Sequence, residues 1–413
     1  MSLYLDVDIA FIFLASISVI YYLVNSYFSI KYKQEKGNNH VDRERVTALI
    51  PVYNENRDRF ASMVQAVKSQ DIEFVVVGDA CNEPYRTITE SNGGRFLYLK
   101  DHGGKRKAVS EGIKLIDSNF VLLIDSDTVI PDNTVSSMLS KFDDDVGGIG
   151  ANLSVKRDSS WISYSAEFVE RSMEVLFRSL SSHGNVMLLD GACVMYRTSL
   201  VKPFIMSSEY TDHKVFGKKN PLGDDRQLTG YLIRSNYRAI KDYDVSVEVP
   251  APETLKKFIK QNVRWMRSNW VNFFRELFNG TARKAGKFYT FDLLYTYLLP
   301  VLFVGTFAIQ AYFALHILDV RYLASGHLHN FHWISIEAIF ARFGHVSTVF
   351  LIRTLTTVAN YMATMVFSLA IAFRISKDRL KTFAFGAIAM LVMLGTSIYG
   401  LITIWKQNGW MTR

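Results

Sequence analysis

The run LLIDSDTVIP, Leu122–Pro131, leads apolar residues into Asp125 and Asp127 before a proline closes it. Side chains two apart on a strand share a face. The alternation therefore points both carboxylates toward the carboxyl edge of a sheet, where open α/β sheets bind ligands. Two neighbouring carboxylates suit a divalent cation, Mg2+ or Mn2+, and such an ion suits a diphosphate. The plainer alternative is a strand ending in a polar turn.

Other residues with chemical potential recur at comparable places. Asp79 ends the apolar run FVVVG. Lys105 and Arg106 follow two glycines at an expected helix start, which suits a phosphate. The segment LDGACVMYR, Leu189–Arg197, is a turn of small residues entering a strand; Gly191, Ala192 and Cys193 there permit close approach of a ligand, or equally close packing. The segment LGDDRQLTGYLI, Leu222–Ile233, sets two aspartates at a helix start, with Asp224 read as the N-cap and Asp225 in the first turn. Cys193 reads as a small packing residue rather than a nucleophile.

The elements that must position these residues are legible as alternating strands and helices. Apolar runs at Val46–Pro51, Phe74–Gly78, Arg95–Leu99 and Phe120–Ile124 read as strands. A polar helical segment lies before Ser69, and a glycine turn feeds a helix after Gly103. This alternation implies an α/β fold with a parallel sheet. There is no G-x-G-x-x-G and no P-loop, so dinucleotide and ATPase readings are weak. Farther on, Thr254–Phe278 carries apolar residues at Leu255, Ile259, Val263, Met266, Trp270, Phe274 and Leu277, with lysines and arginines between them. That is a helical stripe fit for a membrane interface or a soluble core.

The chain has 413 residues, 49% of them hydrophobic and 14% aromatic. The excess is concentrated in uncharged stretches at Ile9–Ile30, Leu293–Leu315, Thr354–Phe373 and Thr382–Trp405, each long enough to cross a bilayer as a helix. The last carries a possible break at Gly395–Ser397, which leaves both a plain span and a re-entrant segment open. Expected boundaries are a membrane helix in 1–36, a cytosolic domain in 37–250, an interfacial helix in 251–285 and a membrane region in 286–413. Lys31, Lys33 and Lys36 after the first stretch place the large domain inside and the N-terminus outside. Two cysteines give no disulfide framework and fit a reducing compartment. The net charge of +8 goes with anionic lipid rather than nucleic acid. His327, His329 and His332 could bind a metal, although a wet loop accepts histidine freely. Arg353 opens the third stretch, where it would snorkel to the interface.

In order along the chain, IPVYNEN, Asp79, GGKRKA, DSD, LDGACVMYR, GDDR, QNVRW and a terminal WMTR resemble the membrane-embedded, processive family 2 glycosyltransferases. Among these, GDDR and W-x-T-R look most like hyaluronan synthases and type 3 capsule synthases. The resemblance implies a GT-A fold and inverting transfer from a UDP-sugar to a growing polysaccharide at the plasma membrane, with lipid around the chain. Hyaluronan, from UDP-GlcNAc and UDP-GlcA, is the first expectation; another capsule polymer, a homopolymer or single-sugar transfer to a lipid phosphate are the alternatives. By position, Asp79 would contact the nucleoside and Lys105, with Arg106, the diphosphate. Asp125 and Asp127 match the metal-binding pair. Asp225 matches the general base, flanked by Asp224 and Arg226. Gln261, Arg264 and Trp265 match the acceptor-lining Q-x-x-R-W, and Trp410 and Arg413 the terminal motif that closes over the nucleotide. The acceptor turn of hyaluronan synthases typically reads S-G-P. Here it is Asp190, Gly191, Ala192, which leaves the sugar open.

Overall fold

The computed structural model describes residues 2–34, 45–317 and 348–407. Trp410, Arg413 and the histidines at 327, 329 and 332 lie outside them. The chain divides into two compact units, one of Met1–Tyr27 with Asp292–Ala370 and the other of Phe28–Phe291 with Ile371–Arg413.

The larger unit holds a seven-stranded sheet. Its first half alternates as expected: β1 (Val46–Val52), α2 (Arg57–Lys68), β2 (Glu73–Asp79), α3 (Tyr85–Ser91), β3 (Arg95–Leu99), α4 (Lys105–Gly112) and β4 (Phe120–Ile124), after α1 (Ser2–Lys31). Then follow α5 (Thr134–Leu139), β5 (Val146–Lys156), α6 (Trp161–Ser181), β6 (Cys193–Arg197), α7 (Thr198–Ile205) and α8 (Ser208–Thr211). A short hairpin, β7 (Lys214–Val215) and β8 (Lys218–Lys219), precedes α9 (Asp224–Arg234) and β9 (Arg238–Pro250).

The strand order is β3-β2-β1-β4-β6-β5-β9. Strands β1 to β4 are parallel, and β1 and β4 are almost wholly buried apolar runs, as strands covered on both faces must be. The sheet is not parallel throughout. Strand β6 runs antiparallel to β4, Cys193 facing Ile124, and to β5. The reversal sets the turn before β6 at the carboxyl end of β4, beside Asp125. Helix α2 packs Phe60, Met63, Val64 and Val67 on the core, the i, i+3, i+4, i+7 face its spacing dictates. Asn56 caps it by accepting from the amides of Asp58 and Arg59.

Helix α10 (Leu255–Phe278) starts at Thr254, whose hydroxyl accepts from the Lys257 amide. It buries Phe258, Val263, Trp270 and Phe273 and leaves Leu255, Ile259 and Phe274 exposed, so only part of the stripe faces the core. Among the described residues after α11 (Thr281–Ala285) are the long helices α12 (Lys287–Ile317), α13 (Thr348–Arg374) and α14 (Arg379–Ile402). Helix α14 belongs with the larger unit and packs on α6 and α10. A side chain at Gly386 would strike the Phe168 ring, and one at Gly400 the backbone of Met266 and Arg267. The helix runs unbroken through Gly395–Ser397, where the sequence shows a possible break. One interior glycine costs only about 1 kcal/mol, and the Ser397 carbonyl accepts a hydrogen bond from the Trp270 indole at 2.9 Å.

In the smaller unit, Ser18 Oγ and Tyr295 OH are 2.8 Å apart, Asn25 donates to Asp292 and the rings of Tyr21 and Tyr295 stack. Among the described residues, four helical segments are long and apolar enough to cross a membrane: Ile9–Lys31, Lys287–Ile309, Leu351–Arg374 and Arg379–Ile402.

Candidate active site

The site begins with the loop that feeds α4. Asp79 ends β2 and is only 2% exposed. Its carboxylate accepts from the amides of Gly103 (2.7 Å) and Gly104 (2.8 Å) and pairs with His102 Nδ1 at 2.8 Å. Both oxygens thus hold the loop. Gly104 precedes the helix at φ +82°, a conformation that glycine adopts without strain. The loop delivers Lys105 as the first residue of α4, with Nζ 2.5 Å from Asp125 Oδ1. Burial pulls the lysine's pKa down, but Asp125, Asp224 and Asp225 outweigh it and hold the ammonium charged.

Strand β4 ends at Ile124, so Asp125, Ser126 and Asp127 form a turn rather than continuing the strand. The Thr128 amide donates to the Asp125 carbonyl, and the Asp125 amide to the Ala192 carbonyl, both at 3.1 Å. Asp125 and Asp127 are both half-buried.

Gly223, not Asp224, caps α9; it stands at φ +69°. A side chain there would collide with Ser268 and Asn272 of α10, so only glycine fits. Asp224 and Asp225 then both occupy the first turn. Burial, with the Asp224 carboxylate beside it, pushes the Asp225 pKa up to about 6, against the lowering effects of Lys105 and the Arg226 amide.

The turn before β6 completes the cluster. A Cβ built on Gly191 would lie 3.1 Å from Lys105 Nζ and 3.6 Å from Asp225 Cβ. Lys105, Asp125, Gly191, Asp224 and Asp225 line one small cavity, floored by Val109, Tyr196 and Leu228. A larger cavity of about 390 Å³, at the end of α1, lies away from these groups.

Three of the expected residues point elsewhere. Arg106 is buried and donates to the carbonyls of Tyr210 and Leu222 and to Gln227. Arg226 is buried against Glu276 in a two-point ion pair at 2.6 and 3.0 Å. Cys193 lies in the core of the sheet, where burial pushes its thiol pKa up, as befits packing. Gln261, Arg264 and Ser268 share one face of α10 by their spacing. Ser268 abuts Gly223, so this face turns toward the start of α9. Trp265 is partly exposed on the same helix.

Sequence reasoning missed Tyr53 and His102, whose rings lie 4.2 Å apart beside the ends of β1 and β2. The signal was there: Tyr53 directly follows β1, and His102 lies in the loop just after β3. It also missed Lys241, a buried residue of β9 that pairs with Asp190 of the turn.

A family model described as glycosyltransferase like family 2 matches residues 43–268. The chain belongs to glycosyltransferase family 2. This family 2 enzyme is 28% identical over 263 residues to an N-acetylglucosaminyltransferase of Azorhizobium caulinodans, across 60% of this chain and 65% of the relative. It is 28% identical over 287 residues to a hyaluronan synthase of Streptococcus pyogenes serotype M3, across 63% and 64%. It therefore spans less than two thirds of these relatives' length. Among solved structures, a mannosyltransferase from Pyrobaculum calidifontis, in complex with GDP-Man and Mn2+, superposes with a TM-score of 0.56 at 17% identity, covering 89% of this chain and 98% of that one. That likeness shows the fold, a Rossmann-like GT-A domain. The family 2 enzyme joins this domain to helices able to span a membrane.

Proposed function

We propose that this enzyme transfers N-acetylglucosamine from its UDP derivative to the hydroxyl end of a growing glycan, by inverting displacement, and exports the polymer through its membrane helices. The observation that carries the reading is the convergence of Lys105, Asp125, Gly191 and Asp225 on one cavity. Asp225 takes the proton of the acceptor hydroxyl as its oxygen bonds the anomeric carbon. The bond from that carbon to the diphosphate oxygen breaks, and UDP carries away the electron pair. Lys105 stabilises the charge that gathers on the diphosphate. The adjoining rings of Tyr53 and His102, tilted 30° to one another, offer a face for the nucleobase.

Asp125 and Asp127 suit a hard divalent cation such as Mg2+ or Mn2+. Among the described residues, no group of three or more His, Cys, Asp or Glu could hold a metal by itself, which fits an ion that shares its coordination with substrate phosphates. When bound, it would neutralise diphosphate charge.

The donor reading rests on the relatives, since N-acetylglucosamine is common to the products their names imply. Hyaluronan, made with UDP-GlcA as second donor, is the alternative favoured by the streptococcal relative. A cytosolic larger unit, on the side where nucleotide sugars are made, is part of this reading and accords with the lysines after the first apolar stretch. The test is UDP release by the full chain in lipid nanodiscs, with UDP-GlcNAc and UDP-GlcA singly and together, with and without EDTA. Sustained release with UDP-GlcNAc alone supports a homopolymer, and a strict need for both donors supports hyaluronan. Asp225-independent release, or none from either donor, overturns the reading.

A further inference from the structure

We propose that the β7–β8 hairpin is a membrane-docking finger that seats Phe216, between Lys214 and Lys218, in the interface of an anionic bilayer. The two strands pair Lys214 with Lys219 and Val215 with Lys218. At the tip, Phe216 stands at φ +50° and Gly217 at +75°. Such a turn is usually made by Asn-Gly or Asp-Gly, because both central residues must be left-handed. A bulky aromatic residue there is an outlier. Phe216 is 69% exposed, so packing within the chain does not offset the strain.

The base of the finger is fixed. The Asn220 amide donates to the His213 carbonyl at 2.7 Å. His213 Nε2 lies 2.5 Å from an Arg275 guanidinium nitrogen in the last turn of α10. On α10, the neighbours of Arg275 include Phe274 and the 85%-exposed Phe278. The chain then enters α12, a candidate membrane span, at Lys287. The finger thus stands at the last turn of α10, the helix that precedes this candidate span in the chain.

The chemistry matches one partner. Aromatic rings with lysines beside them favour the headgroup region, and lysines add attraction to anionic lipid. Lys218 is exposed, and Lys214 is exposed while pairing with Asp212 at 2.8 Å. A glycan could also stack on Phe216, but continuity with α12 favours lipid. The finger leads through Asn220 and Leu222 directly into α9, so docking would register Asp225 against the membrane surface.

The test uses the full chain with Cys81→Ser and a nitroxide on Phe216→Cys, in nanodiscs of neutral or partly anionic phospholipid. The expected label collides with oxygen more than with a water-soluble nickel chelate, most strongly in the anionic bilayer. Lys214→Gln and Lys218→Gln would each weaken that burial roughly fivefold. Equal access to the nickel chelate in both bilayers would overturn the proposal. So would shielding that appears only on adding an N-acetylglucosamine oligosaccharide, which would make the finger a glycan contact. The readout is independent of turnover, so it stands or fails apart from the donor assignment.

Discussion

Lys105 Nζ lies 2.5 Å from Asp125 Oδ1, and the two come from different strand ends: Lys105 follows the loop after β3, and Asp125 follows β4. Both side chains are partly exposed, so the pair adds little to stability. Its value lies in placement, a fixed cation beside the turn that carries both acidic metal candidates. Lys105→Met should lower kcat/KM by about 10²–10³-fold, the usual cost of losing a group that stabilises developing charge. Thermal unfolding should scarcely change. A variant that transfers sugar normally would remove Lys105 from the diphosphate role.

Asp225 carries a pKa raised to about 6, first by burial and next by Asp224. The base must be ionised to accept a proton, so kcat/KM should fall about tenfold per pH unit below about 6 and level off above it. Asp224→Asn removes a neighbouring negative charge, which makes ionisation of Asp225 easier. Its acidic limb should therefore move to lower pH. A pH profile whose limb stays in place in that variant would disconnect the limb from Asp225. Asp225→Asn itself should cost about 10²–10⁴-fold in transfer while still binding UDP.

Much of this geometry was legible in the sequence, for reasons that differ by element. Strand β4 coincides with its apolar run because a strand buried on both faces has no other pattern to show. The cap of α9 was misread because Asp224 is a good capping type, whereas the choice was made by contact: Ser268 and Asn272 leave room only for glycine at 223. In a linear reading Arg106 looks like a phosphate ligand and Arg226 like a substrate residue flanking the base. Their partners, Gln227 and Glu276, lie far along the chain, and nothing local announces a buried pair. The antiparallel β6 was hidden for the same reason, since its direction follows from where the turn at Gly191 docks.

The Arg226–Glu276 pair gives that last distinction a measurable form. Both side chains are 4% exposed, and Tyr289 donates to the same carboxylate at 3.0 Å. Arg226→Met would strand a buried carboxylate, at a cost of about 3–5 kcal/mol. That should lower the Tm by roughly 10 °C or more. Arg226→Met with Glu276→Met should recover most of the loss, because the charge goes with its partner. If the single variant instead kept its Tm and lost donor affinity, Arg226 would be a substrate ligand.

Gly191 separates catalysis from folding most cleanly. An alanine methyl there would press on Lys105 Nζ at 3.1 Å and touch Asp225 Cβ at an ordinary 3.6 Å. The lysine end is flexible, so the fold can yield by a few tenths of an ångström. Gly191→Ala should therefore leave the melting curve within about 1 kcal/mol of the parent, since it meets no backbone and no positive φ. Transfer is less forgiving, because a misplacement approaching 1 Å costs about 10²-fold in a positioned reaction. A loss of roughly tenfold in kcat is expected for alanine, and a larger one for valine, which would extend farther toward Lys105 and Asp225. The comparison is steady-state UDP release beside thermal unfolding on the same preparations. Full activity in the valine variant would mean that the acceptor does not approach Asp225 past this turn.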